Sequence, residues 1–274
     1  MFEYLRYIFN VAKKTLLIWL IAPGVYLMIL PFAFSGGLVQ EMTEAKKIAM
    51  DDTLGKNEIA KSIFGINDWE RIWHLEGLVT TYIFNLFFPL LIAISTLVLI
   101  NKVTAKAEEN GEFEFVASLP FSRVGLALIH SCVVIFLGLG FGLFWSHFIY
   151  IPQLFINQSQ TLIYAPLMLS AVQSSIGGVS FAAFGFAAGA STGKSSWLWL
   201  LGMGLLAFEW ISSILSGRIK FFDWYHTNVS SFGAYGDPYI DGFCFSDFSF
   251  VLCKILIFLF IGILLFKDRS LNLR

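Results

Sequence analysis

Charge is what this chain has least of. Only 14% of its 274 residues are Asp, Glu, Lys or Arg, where a soluble domain carries about a quarter. That shortage excludes an ordinary solvated surface around a single core. The basic residues form no stripe and the formal net charge is −1, which excludes a nucleic-acid binder held by phosphate neutralisation. Cysteine is scarce too: Cys132, Cys244 and Cys253 stand without CxxC spacing, so neither zinc nor a disulfide framework is signalled. No HExxH pattern and no His/Cys/Asp cluster with ligand spacing is present, so no metal ligand and no catalytic residue is assigned.

What remains is carbon: 57% of residues are hydrophobic and 17% aromatic, with a mean hydropathy of +0.73. A bilayer core needs about 20 apolar residues as helix. Six stretches qualify, at 15–34, 77–100, 124–147, 164–190, 197–215 and 249–266. They lack the alternation of barrel strands, so they are read as helices. The expected fold is an all-α integral membrane protein of six transmembrane helices, forming a single domain over 1–274. The first run follows Lys13 and Lys14 and shows no small-residue cleavage site, so it is read as a retained span. Before it, Phe2, Leu5, Ile8, Phe9 and Ala12 fall at helical spacing, which predicts an N-terminal amphipathic interfacial helix. The aromatic, Gly- and Pro-punctuated stretch 216–248 is too broken for a span. It predicts a re-entrant or interfacial segment before the last helix.

Six spans place both termini on one side. The flanks on that side carry Arg6, Lys13, Lys14, Lys102, Lys106, Arg123, Lys194, Lys267, Arg269 and Arg274. Those on the other side carry fewer basic residues, most of them in the long 35–76 loop where the positive-inside rule weakens. Both termini are therefore expected in the cytoplasm, with the chain a multi-pass protein of the cytoplasmic membrane and the lipid bilayer as its first partner.

The loop "AEENGEFEFVASLPFSR", 107–123, is polar yet interleaves Phe113, Phe115, Val116 and Leu119 with its acids. A solvated connector has no use for those side chains. An amphipathic helix that docks into a partner's groove does, because an exposed apolar stripe must be covered. Pro120 ends such a helix, Ser122 is placed to cap the next one, and Arg123 lies at the interface, within reach of lipid phosphates or a neighbouring helix end.

This segment resembles the signature of ABC-2-type transporter permeases, in which Glu-x-Gly-Thr-x-Glu precedes an apolar run and then Pro-x-Ser-Arg. Glu109, Gly111, Glu114, Pro120, Ser122 and Arg123 match in register. Glu112 stands where the family commonly has Thr, and His130 where it commonly has Lys. The six-span layout, the interfacial helix and the closing "FKDRSLNL" are similar as well. The resemblance implies that 107–119 is a coupling helix, seated in a cleft of a separate ATPase subunit. Glu108, Glu109, Gly111, Glu112, Phe113, Glu114, Phe115, Val116, Pro120, Ser122 and Arg123 would then be its coupling residues. It further implies an ATP-driven exporter in which this chain is a catalytically silent permease subunit. The chain would hold no cofactor, ATP and Mg would sit on the partner ATPase, and a second permease subunit, identical or related, would complete the path. The substrate is not readable; a hydrophobic or amphipathic one suits the aromatic content. The alternative is a non-transport membrane scaffold that binds a cytoplasmic partner through 107–123, and a weaker third reading is an intramembrane enzyme using His and Glu.

Other residues attract sharper readings than they support. "GASTGKSS" at 189–196 leaves three residues, not four, between Gly189 and the Gly-Lys pair, so it is a turn and not a phosphate loop. "GVSF" at 178–181 has no histidine in a later span to act as base. Glu209 is the one acid well inside a span and is the candidate intramembrane functional acid; its alternatives are a pairing that orders the bundle, or partial solvation. His130 and His147 are expected at interfaces, and Lys254 is expected to snorkel. Gly138-x-x-x-Gly142 and Gly185-x-x-x-Gly189 predict close helix approach, within the chain or at a dimer seam.

Overall fold

A computed structural model of the protein describes residues 2–35, 48–49, 52, 70–112, 122–155 and 162–269. Six of its helices are long and apolar enough to cross a membrane, and no strand occurs among the described residues. In chain order the helices are α1 Phe2–Ser35, α2 Leu75–Glu109, α3 Arg123–Gln153, α4 Tyr164–Thr192, α5 Ser195–Leu215, the short α6 Lys220–Asn228 and α7 Phe245–Asp268. The protein is a multi-pass membrane protein.

The amphipathic N-terminal segment and the first span are one unbroken 34-residue helix. At 1.5 Å per residue it is about 51 Å long, well past the ~30 Å of bilayer hydrocarbon, so its first turns extend beyond the apolar layer. Nothing between Phe9 and Ala22 breaks the helix, since Pro23 and Pro31 both lie further along it.

The helix α4 is the hub, packed against α7, α5, α2 and α3. Its middle is built from Ser, Gly and Ala, which let neighbours approach closely. The two small-residue patterns work inside the chain. A Cβ on Gly138 would lie 2.1 Å from Val179 Cγ2, across the α3–α4 seam; one on Gly185 would lie 2.7 Å from the Leu198 carbonyl oxygen and 3.0 Å from Gly202 Cα, across the α4–α5 seam. The faces turned away from the hub carry exposed carbon, such as Leu17, Ile18 and Ile21 on α1 and Leu256, Ile257 and Phe260 on α7. Side chains of this kind match a hydrocarbon surround.

The helix α2 begins unusually. Over Leu78–Phe87 it is wound as a π-helix, with the Phe88 N–H reaching the Ile83 carbonyl five residues back. Pro89, next in line, has no N–H to give. The carbonyl it would have served is that of Phe84, and Ser174 Oγ of α4 donates to it at 2.5 Å.

The stretch before the last span combines one short helix with turns. The helix α6 exposes all of its residues in part or in full. The following Ser230-Ser231-Phe232 turn is buried, tucked onto α4 and α5 as described below.

Candidate functional site

At the end that carries both termini, three connections converge. The helix α2 bends at Thr104 and runs on as Ala105–Glu109. Gly111 then turns the chain at a φ of 78°, a left-handed conformation that suits a residue without Cβ. Glu108 is 4% exposed. Arg269, the residue after α7, grips it with both arms: Nη1 donates to Oε1 at 2.7 Å and Nη2 to Oε2 at 2.5 Å. Such a two-point, charge-assisted contact fixes direction as well as distance. Arg269 passes beside Gly193, where a Cβ would come within 2.2 Å of its Nη1. Gly193 itself ends α4 in a left-handed cap, its N–H on the Gly189 carbonyl at 2.8 Å. The "STGK" sequence is thus a helix C-cap and a tight turn.

Glu109 points the other way and accepts from the Ser195 N–H at 2.9 Å. That amide belongs to the first turn of α5, where helix N–H groups lack partners and favour an anion. Lys194 supplies no side-chain cap there, so the carboxylate arrives from another loop. Ser122 does cap α3, its Oγ accepting from the Gly125 N–H at 3.0 Å. Arg123 Nη1 donates to the Arg269 carbonyl, which places it on a neighbouring helix end. Glu112 is exposed beside Asn110. Phe113, Glu114, Phe115, Val116 and Pro120 lie outside the described residues.

Two of the segment's acids therefore commit carboxylate oxygens within the chain. They tie the root of the 107–123 segment to the end of α7 and to the α4–α5 turn. The sequence reading missed Arg269 in this role. Its only signal was a basic residue just past the last span, which the positive-inside rule already explained.

His130, expected at an interface, is instead 2% exposed. Its Nε2 shares a 2.6 Å hydrogen bond with Tyr4 Oη and its ring meets Phe186 edge-on. The helix α1 packs along α3 and so covers it.

At the opposite end, Glu209 of α5 is 0% exposed. Its carboxylate accepts from Lys254 Nζ of α7, from the Ser231 N–H at 2.7 Å, from Tyr225 Oη at 3.3 Å and from Ser230 Oγ at 3.4 Å. Lys254 does not snorkel: its side chain is 11% exposed and also donates to Ser231 Oγ and the Val229 carbonyl. Ser180 Oγ joins the same network through Ser231 Oγ at 2.9 Å. One buried ion pair thus ties α5 and α7 to the loop between them and to α4. Burial, with the Glu209 charge alongside, pushes the Tyr225 hydroxyl well above its usual value, so it acts as a neutral donor.

Above this clasp a cavity of about 640 Å³ opens between the start of α2, the end of α5 and the 226–241 segment. Arg71 Nη1 donates to Asp237 Oδ2 at 3.0 Å at its rim.

No protein-family model and no curated protein matches the chain.

Proposed function

We propose that the chain is the membrane permease subunit of an ATP-driven exporter of ABC-2 type, moving a hydrophobic or amphipathic substrate by coupling to separate ATPase subunits. The observation that carries this reading is the 107–123 segment itself. Its Glu109, Gly111, Glu114, Pro120, Ser122 and Arg123 follow the permease pattern, between the second and third of six spans. The rooting of that segment supports it further. A push on a docking helix is useful only if it is passed on, and Glu108 and Glu109 connect its base to the end of α7 and to the α4–α5 turn. In this reading both termini are cytoplasmic, ATP and Mg are bound by the partner, and a second permease subunit faces this one. Coupling then requires that the segment fit two ATPase states unequally.

Detergent pull-down of the tagged full chain, scored by mass spectrometry, tests the proposal. An ABC-type ATPase is expected with the wild type and lost with Phe113→Asp/Val116→Asp, while a folded variant still elutes as a single species. If no ATPase accompanies the intact wild-type protein, the permease reading fails and a scaffold that binds another cytoplasmic partner replaces it.

A further inference from the structure

The cavity at the end away from the termini is built, not left over. Thr80, Thr81, Asn85 and Leu86 all line it, as two pairs each five residues apart. In an α-helix residues five apart point about 140° away from each other at 3.6 residues per turn. They share a face here because this stretch is wound with i→i+5 bonds, a local widening that recurs at functional sites. Two glycines set the walls. A Cβ on Gly77 would lie 2.0 Å from the Arg71 carbonyl oxygen, and one on Gly233 would lie 1.9 Å from that of His226. Only glycine lets these backbones close, and the closure brings Arg71 and His226 to the cavity. Gln173 of α4 holds the far wall, its Nε2 donating to the Tyr235 carbonyl at 2.7 Å.

The charges on the lining are unequal. Among the described residues Arg71 is its one full cation, already engaged by Asp237 and by Thr80 Oγ1 at 3.3 Å. Asp241 also lines the space, and its carboxylate has no hydrogen-bond or ion-pair partner among the described residues. His226 adds no charge near neutral pH, since burial lowers its pKa below the ordinary value. Among the described residues the balance is one free carboxylate, on a lining that also includes Trp210, Phe232 and Tyr235. An uncompensated carboxylate in a cavity attracts a cation, and a lining with aromatic carbon suits one that carries an organic body.

We propose that this cavity is a binding site for an organic ammonium ligand, with Asp241 as the counter-charge. The assignment stands on the cavity alone and does not require the transport reading.

The test uses the full chain in nanodiscs of neutral phosphatidylcholine and a defined probe. That probe is dansylcadaverine, which carries one primary ammonium; its N-acetyl derivative has the same body without the charge. Partition into lipid is common to both, so their difference reports the ammonium. The amine is expected to bind roughly fivefold more tightly than the acetyl compound, the scale of one ion pair at an exposed carboxylate. Asp241→Asn, a near-isosteric change at an exposed position, should erase that difference. Asp247→Asn, an acid outside the cavity, should keep it. Equal affinity of the two probes for wild type overturns the proposal, as does a preference that survives Asp241→Asn. Tighter binding of an anionic dansyl acid would also overturn it, by assigning the space to anions through Arg71.

Discussion

Separating Glu209 from Lys254 should cost more than any other single polar change in the described bundle. The carboxylate is 0% exposed and the lysine side chain 11%, so neither charge has water to fall back on. Breaking a buried ion pair by removing one partner typically costs ~3–5 kcal/mol, because the survivor is left buried and uncompensated. The local geometry argues for the lower end. Glu209 keeps the Ser231 N–H, Tyr225 Oη and Ser230 Oγ; Lys254 keeps Ser231 Oγ and the Val229 carbonyl. Glu209→Gln and Lys254→Met are therefore each expected to cost about 3 kcal/mol, and the double variant to cost less than their sum by ~2 kcal/mol. The assay is reversible unfolding in a fixed detergent, run on wild type, both single variants and the double. Hydrogen exchange adds a local readout, since the Ser231 N–H should lose protection in Glu209→Gln before the spans open. If the two single costs add to the double within ~0.5 kcal/mol, the residues are not coupled and the clasp argument fails.

Arg269→Lys keeps the charge but loses the two-point grip on Glu108, and should lower stability by ~2 kcal/mol; Gly193→Ala should act in the same direction, because its Cβ would lie 2.2 Å from Arg269 Nη1 at a φ of +66°. Unfolding midpoints of the two variants, alone and combined, check this, and a wild-type midpoint for both would refute it. Gly185→Ala should wedge α4 from α5 and cost ~1–3 kcal/mol, whereas Gly177→Ala, with nothing within 4 Å of the added carbon, should not destabilise; equal effects at the two sites would contradict the seam described above.

What the amino-acid order determined alone was set by local chemistry and by the thickness of a bilayer. The six spans follow from runs of carbon long enough to cross it. The Ser122 cap and the turn at Gly193 follow from residue types at helix ends, and each appears where its sequence places it. The continuity of α1 was less legible, because an amphipathic stretch followed by an apolar one reads as two elements although no residue between them breaks the helix. Tertiary structure alone decided the partnerships. Glu209 and Lys254 are 45 positions apart, and Glu108 and Arg269 are 161 apart. No periodicity links them, because their meeting depends on how α4 seats its neighbours. His130 looks interfacial until α1 is laid across it. The cavity needs the π-wound start of α2, where Ser174 of another helix serves the carbonyl that Pro89 leaves unpaired. A sequence specifies which segments enter the membrane; which charges survive there is decided by the surfaces that close around them.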